Sequence, residues 1–212
     1  MMETAMMIPR PQTDRRGAPR GLVCASTLVM TEENTATEHM VYDLSTGGVR
    51  LCGLPRAQVG EEVRVRLQLP WARVRARGRL LRRGWSTGSP DFAIEFFNLS
   101  AGAEDAIHDA VVDALSRPNC RSLLLVQREG ERPACFDWLK AVSPICATAI
   151  TSLGAVQCLE EHPIEMGILS PAGGRGVRDF WWSEAHPEVS WRTIDDAGRL
   201  HPVATTFGLR WV

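Results

Sequence analysis

The chain has 212 residues, 44% of them hydrophobic and 23% charged, with a formal net charge of -1; that is enough apolar material for one large or two small packed cores, and too little positive charge for a general nucleic-acid binder. No apolar run approaches the roughly 20 residues of a membrane span, and Met1 to Arg20 lacks a signal-peptide core, so a cytoplasmic protein with no membrane partner is expected. The six cysteines are scattered, with no C-x-x-C pair and no His-x-x-x-His partner, which argues against zinc and a disulfide framework and fits small buried thiols in a reducing compartment.

Residues 1–13 read as a flexible leader, with prolines and polar breakers and no periodicity. From Gly21 the pattern is β. Leu22 to Met30 is a near-continuous apolar and Thr/Ser run, Thr31 to Asn34 is polar enough to turn, and Thr35 to Asp43 returns. Val49 to Cys52 makes a third strand. Val63 to Leu69 alternates strictly, with Val63, Val65, Leu67 and Leu69 facing inward. Arg73 to Arg83 and Asp91 to Phe97 complete six strands. Ser100 then caps a helix from Ala101 to about Leu115, with Ile107, Val111 and Leu115 as its apolar stripe. Six short strands and a helix fit a small antiparallel barrel with the helix across one opening.

Between Arg56 and Arg83 nine arginines face only Glu61 and Glu62, so this part of the surface is basic whatever the global charge. It suits an outer wall of a ligand site, a nucleic-acid surface, an acidic partner, or simply the solvated face of two barrel strands with edges protected by charge. Exposed aromatics are not interleaved beyond Trp71 and Trp85, which disfavours nucleic acid.

Pro118-Asn119 ends the helix and the rhythm changes. Ser122 to Val126, Ile145 to Thr151 and Ile164 to Leu169 read as buried strands, while Pro133 to Val142, Leu153 to Glu161 and Val177 to Ala185 read as helices. Such alternation predicts a mainly parallel sheet with right-handed crossovers. Ser190 to Val212 adds one or two strands around the turn Asp195-Asp196-Ala197-Gly198. Gly173-Gly174-Arg175-Gly176 lacks the Gly-Lys-Ser/Thr ending of a phosphate loop and reads as a plain turn. Trp181 and Trp182 are adjacent and cannot both face inward from a helix, so one is a candidate anchor for a partner.

Two segments of the first half carry chemistry. In Arg15-Arg16-Gly17-Ala18-Pro19-Arg20, Pro19 disfavours helical geometry at Ala18, so Arg16 to Arg20 forms an extended or turning loop spanning roughly 13 Å. Arginine stays charged, stacks on aromatic planes and forms forked bonds to phosphate or to guanine O6 and N7. In Asp43-Leu44-Ser45-Thr46-Gly47-Gly48, alternation puts Asp43 and Ser45 on one face and Leu44 in the core. The carboxylate can accept from guanine N–H groups and the hydroxyl can donate or accept. Gly47 and Gly48 are expected to allow a positive-φ turn and close approach of backbone to ligand.

Together the segments resemble the two signatures of the PilZ family, R-x-x-x-R (Arg16, Arg20) followed by D-x-S-x-x-G (Asp43, Ser45, Gly48). The R-x-x-x-R spacing recurs elsewhere in the chain; D-x-S-x-x-G occurs once. Phe92 to Phe96 also resembles the family's late strand, although Ala93 stands where a glycine is common. The resemblance implies a six-stranded antiparallel β-barrel over residues 14–118 that binds cyclic di-GMP and is not an enzyme. Arg16 and Arg20, assisted by Arg15, would make stacking, phosphate and guanine contacts; Asp43 and Ser45 would read a base edge; Gly48 would set backbone geometry. No dedicated cofactor or metal is implied, and a cyclic dinucleotide containing adenine is left open.

Residues 119–212 loosely resemble a response-regulator receiver domain that is shortened and degenerate. The first strand runs into Gln127-Arg128-Glu129 and the third ends in Ser170-Pro171, so no phosphoacceptor Asp stands there, and no lysine follows Lys140. This half is expected to bind a protein partner or a second copy of itself; the PilZ resemblance implies that such an interaction controls motility, polarity, pili or exopolysaccharide. The alternatives are a ligand-independent PilZ scaffold and a DNA-binding regulator. No paired carboxylates or Ser/His/Asp ordering point to catalysis.

Overall fold

In β4 (Glu62–Gln68) and β5 (Arg73–Ser86) the period-2 pattern puts Val63, Val65, Leu67, Val74, Ala76 and Leu80 inside and leaves the intervening arginines exposed. With β1 (Ser26–Met30), β2 (Ala36–Ser45), β3 (Gly48–Cys52) and β6 (Ser89–Phe97), these strands form a closed six-stranded antiparallel barrel. Its order is β1-β4-β5-β6-β3-β2, with β2 pairing back onto β1. The structure is a computed structural model; it describes residues 18–23, 25–69, 71–86, 89–116, 122–126, 145–149, 152–161, 164–169, 189–195 and 197–202.

The first strand begins later than its apolar run suggests, because the stretch after Gly21 is used differently. Leu22 is exposed, and Gly21 makes an isolated antiparallel bridge with Leu44. The turn expected at Thr31 to Asn34 is present, with Asn34 at φ 61° and its N–H donating to Thr31 O. Helix α1 (Ala101–Ser116) is capped as expected, Ser100 Oγ accepting from Ala103 N at 3.3 Å. Its buried face includes Ile107 and Val111 but ends on Ala114; Leu115 is exposed. At 3.6 residues per turn, Ala114 lies within about 20° of Ile107, whereas Leu115 has rotated about 80° away.

In the second half β7 (Ser122–Val126), β8 (Ile145–Ala149), β9 (Ile164–Leu169) and β10 (Ser190–Ile194) are parallel, in the order β8-β7-β9-β10. Helix α2 (Ser152–Glu161) connects β8 to β9. β11 (Leu200–Pro202) returns antiparallel on β10. Trp191 covers Gly167, where a Cβ would come within 1.9 Å of the indole. The leader, the helices expected at 133–142 and 177–185, Trp181, Trp182 and the 173–176 glycines lie outside the described residues.

The two halves meet at β2. One side of β2 pairs with β11 at Glu38 and with β3 from Val41 to Ser45. Arg192 Nε donates to both Glu38 oxygens, at 3.0 and 3.2 Å. Gly53 and Gly198, both at positive φ, pack against each other, and Leu54 N donates to Ala197 O. A Cβ on Gly53 would lie 2.7 Å from Ala197 O, so only glycine fits here. Met40 and Cys52 on the outer side of the barrel join Leu125, Met166, Ile168, Ile194 and Leu200 in one apolar cluster.

Asp195 organises the turn between β10 and β11. Its carboxylate accepts from Ala197 N, Arg199 N, Arg199 Nε and His201 Nε2. Burial alone would raise its pKa, but the bonds from Arg199 and His201 outweigh that and hold the carboxyl below its usual value. His39, fully buried, sits behind this junction. Because a carbonyl can only accept, its Nδ1–H donates to Cys52 O at 2.8 Å, and Nε2 accepts from the Thr37 hydroxyl at 2.9 Å. Burial lowers its pKa to about 4.

Candidate ligand site

The backbone brings the two sequence signatures together before any side chain is considered. Gly21 N donates to Leu44 O at 3.1 Å, and Leu44 N donates to Gly21 O at 3.0 Å. This bridge sets Arg20 beside Asp43, whose Oδ1 accepts from Arg20 Nη1 at 3.3 Å. Leu44 is fully buried, as alternation requires. Arg15 and Arg16 lie outside the described residues, so of the three loop arginines Arg20 is the one placed.

An open cleft of about 840 Å³ runs from this point across the outer face of β3, β6 and β5. Its polar wall includes Arg20, Ser45, Arg50, Arg82 and Glu95, with Ala18 at the loop end and Leu81 on the opposite side. The volume falls in the range of pockets that take drug-sized ligands. Three guanidiniums, a hydroxyl and a carboxylate suit a flat, phosphate-bearing ligand. Asp43 is not in the cleft wall; it holds Arg20 at the rim.

Gly48 serves packing rather than the turn conformation the sequence suggested. Neither Gly47 nor Gly48 has positive φ. Gly48 is the first residue of β3, and a Cβ there would lie 2.4 Å from the Ile94 carbonyl oxygen. Its lack of a side chain lets β3 close on β6, the register being Gly48 opposite Glu95. Ser45 Oγ donates to Gly48 O at 3.3 Å, tying the hairpin shut. Gly48 therefore lines the cleft with bare backbone.

Arg50 is the site residue that sequence reading missed. Its Nη2 donates to Asp91 Oδ2 at 2.6 Å, and its guanidinium lies 4.3 Å from the Tyr42 ring centroid. Asp91 is fully buried, while Arg50 retains a little exposure on the cleft side. The arrangement depends on a bulge in β2, where Tyr42 and Asp43 together oppose Arg50. Tyr42 in turn packs against the apolar cluster shared with the second half. Among the described residues no group of His, Cys, Asp and Glu could hold a metal ion, and no helix is long and apolar enough to cross a membrane.

Residues 14–113 match the family model of the PilZ domain. The six-stranded closed barrel is consistent with that match, which ends within α1 and leaves the parallel sheet uncovered. Among solved structures, the chain resembles the Bacillus subtilis inhibitor of motility MotI/DgrA, with 20% identity over 49% of this chain and 52% of that one and a TM-score of 0.42. It also resembles the PilZ domain of Escherichia coli YcgR with c-di-GMP, at 17% identity over 50% and 95% and a TM-score of 0.41. A third is the K. pneumonia MrkH–c-di-GMP complex, at 13% identity over 49% and 54% and a TM-score of 0.43. The chain thus spans about half the length of the MotI/DgrA and MrkH chains. No curated protein matches the chain.

Proposed function

We propose that this protein is a non-enzymatic receptor for cyclic di-GMP that alters a protein interaction. The observation that carries the reading is the Arg20–Asp43 pair, set by the Gly21–Leu44 bridge at the rim of an arginine-lined cleft inside the PilZ-matched segment. The loop carrying Arg15 and Arg16 would fold over the cleft and complete the site with stacked and forked contacts. Ser45 and Asp43 would read a guanine edge once Arg20 turns from Asp43 toward the ligand. Ordering a loop on binding is a recognised switching mode.

The second half is read as a receiver-like unit without phosphoacceptor. The parallel order β8-β7-β9-β10 supports this, being the 2-1-3-4 order of doubly wound sheets of that type. β11 runs antiparallel where such a sheet would add a further parallel strand. Its role would be to present a surface to a partner. Arg50 is the route by which the cleft would reach it, because it touches the cleft, Asp91 and Tyr42 together.

Titration calorimetry with cyclic di-GMP, and separately with cyclic di-AMP, tests the reading on wild type, Arg20→Ala and Asp43→Ala. Saturable binding of the guanine ligand that collapses in both variants supports it. Absence of heat at ligand concentrations far above micromolar would remove the receptor role and leave a ligand-independent scaffold.

A further inference from the structure

The arginines of β4 and β5 form an ordered ladder. Arg64, Arg66, Arg73, Arg75, Arg77 and Arg79 are all exposed on the outer face of the barrel. The register sets Arg64 directly opposite Arg77 and Arg66 directly opposite Arg75, and like charges so placed repel. Glu62 neutralises one end, pairing with Arg77 and Arg79. Arg66, Arg73 and Arg75 have no carboxylate partner among the described residues. Edge protection does not explain the ladder, since β4 lies between β1 and β5, and β5 between β4 and β6. At its centre Arg64, Arg66, Arg75 and Arg77 frame a cleft of about 290 Å³ that also touches Met30 and Ala76.

The ladder is narrow. Leu28 and Met30 flank it on β1, and Phe97 and Glu95 on β6. Glu32 and Glu33 stand exposed just beyond Met30. A duplex nucleic acid wide enough to cover the ladder would meet these acids, whereas one acidic helix would lie along the arginines with apolar flanks.

Helix α1 has the matching surface. It contains no lysine or arginine, and its exposed side carries Glu104, Asp105 and Asp109, with Val112 and Leu115 exposed at its end. Asp105 and Asp109 are one turn apart, about 6 Å along the axis. Alternate arginines on a strand are about 6.8 Å apart. Trp71, half-exposed beside Arg73, offers an apolar contact for Val112 and Leu115.

We infer that the arginine ladder of one copy binds the acidic face of α1 of a second copy. The two surfaces differ, so the contact is heterologous and two charge-neutralising variants separate it into halves. Arg66→Gln/Arg75→Gln removes the centre of the ladder, and Asp105→Asn/Asp109→Asn removes the acidic face. All four positions are exposed, and thermal melts verify that both variants fold. Sedimentation velocity at low salt should show the wild type associating as concentration rises and returning to monomer near 1 M salt, where the Debye length is about 3 Å. Each variant alone should stay monomeric, and an equimolar mixture should form a dimer and nothing larger. A wild type that is monomeric at low salt, a variant that associates like wild type, or a mixture that stays monomeric would overturn the inference. So would a monomeric wild type that binds a single-stranded oligodeoxynucleotide with steep salt dependence, which would assign the ladder to nucleic acid.

Discussion

The Arg50–Asp91 pair should behave unequally when its two members are removed one at a time. Asp91 has no exposed side-chain surface and Arg50 retains 18%. Arg50→Met strands a carboxylate inside the protein, and breaking a buried pair this way costs about 3 to 5 kcal/mol. The remaining exposure of Arg50 argues for the lower end, about 3 kcal/mol. Asp91→Ala leaves a guanidinium that can swing into the cleft and reach water, so the loss approaches that of one charge-assisted bond, about 1.5 kcal/mol. The double variant removes both charges and should be far more stable than the sum of the singles implies. With an m-value of about 2 kcal/mol/M in urea, Arg50→Met lowers the midpoint by about 1.5 M and Asp91→Ala by under 1 M. Urea unfolding followed by tryptophan fluorescence gives all four corners of the cycle. Additivity within about 0.5 kcal/mol would show that the pair is not energetically coupled and refute the reasoning.

Arg20→Ala and Asp43→Ala should each weaken cyclic di-GMP binding by about 1.5 to 3 kcal/mol, roughly 10- to 150-fold by calorimetry. Neither should move Tm appreciably, because Arg20 is mostly exposed and such ion pairs contribute little to stability. Gly48→Ala should lower stability by about 1 to 3 kcal/mol, roughly 2 to 4 °C per kcal/mol, as β3 and β6 are forced apart; unchanged Tm with lost binding would instead favour a direct ligand role. His39, with its pKa lowered to about 4, contributes stability that is complete above the unfolded value near 6.5 and is lost as pH falls toward 4. About 3 kcal/mol should disappear over that window, and His39→Gln should flatten the pH dependence measured by urea unfolding at pH 7 and pH 4.5.

What was legible in the sequence was what local chemistry dictates. Alternation in β4 and β5 revealed which side chains enter the core, and Ser100 marked the start of α1. Arg20 and Asp43 could be assigned to one site in advance because both stand in recognisable short motifs, but their direct ion pair came from the structure. Arg50 and Asp91 could not, because they lie 41 residues apart and meet only through the β3–β6 register and the bulge at Tyr42. Of the two reasons for noticing Gly48, the positive-φ turn fails, while its place in the cleft wall leaves bare backbone there, and the facing Ile94 carbonyl excludes a side chain. Charge on β4 and β5 suggested a solvated barrel face with protected edges; the face is solvated, and barrel closure, a non-local property, removed the edges.

The position of β2 explains how one strand can serve both the cleft and the second half. Strands in a closed barrel have two faces; the inner face of β2 gives Val41 and Leu44 to the barrel core, so the coupling proposed between cleft and second half would run on the outer one. There Met40 and Tyr42 enter the cluster of β9, β10 and β11, and one residue later Asp43 holds Arg20. Because the bulge aims both Tyr42 and Asp43 toward Arg50, a ligand that draws Arg20 and Arg50 into the cleft acts on two neighbouring residues, one facing each destination. Without the bulge, Tyr42 and Asp43 would alternate, and one of the two would point into the barrel. Deleting Tyr42 would make Val41–Leu51 and Asp43–Arg50 successive pairs of a regular ladder, leaving Asp43 beside Arg20 while removing the ring that lies against Arg50 and the cluster of the second half; it should therefore lower Tm through lost packing of the second half, and an unchanged Tm would refute the role given to the bulge.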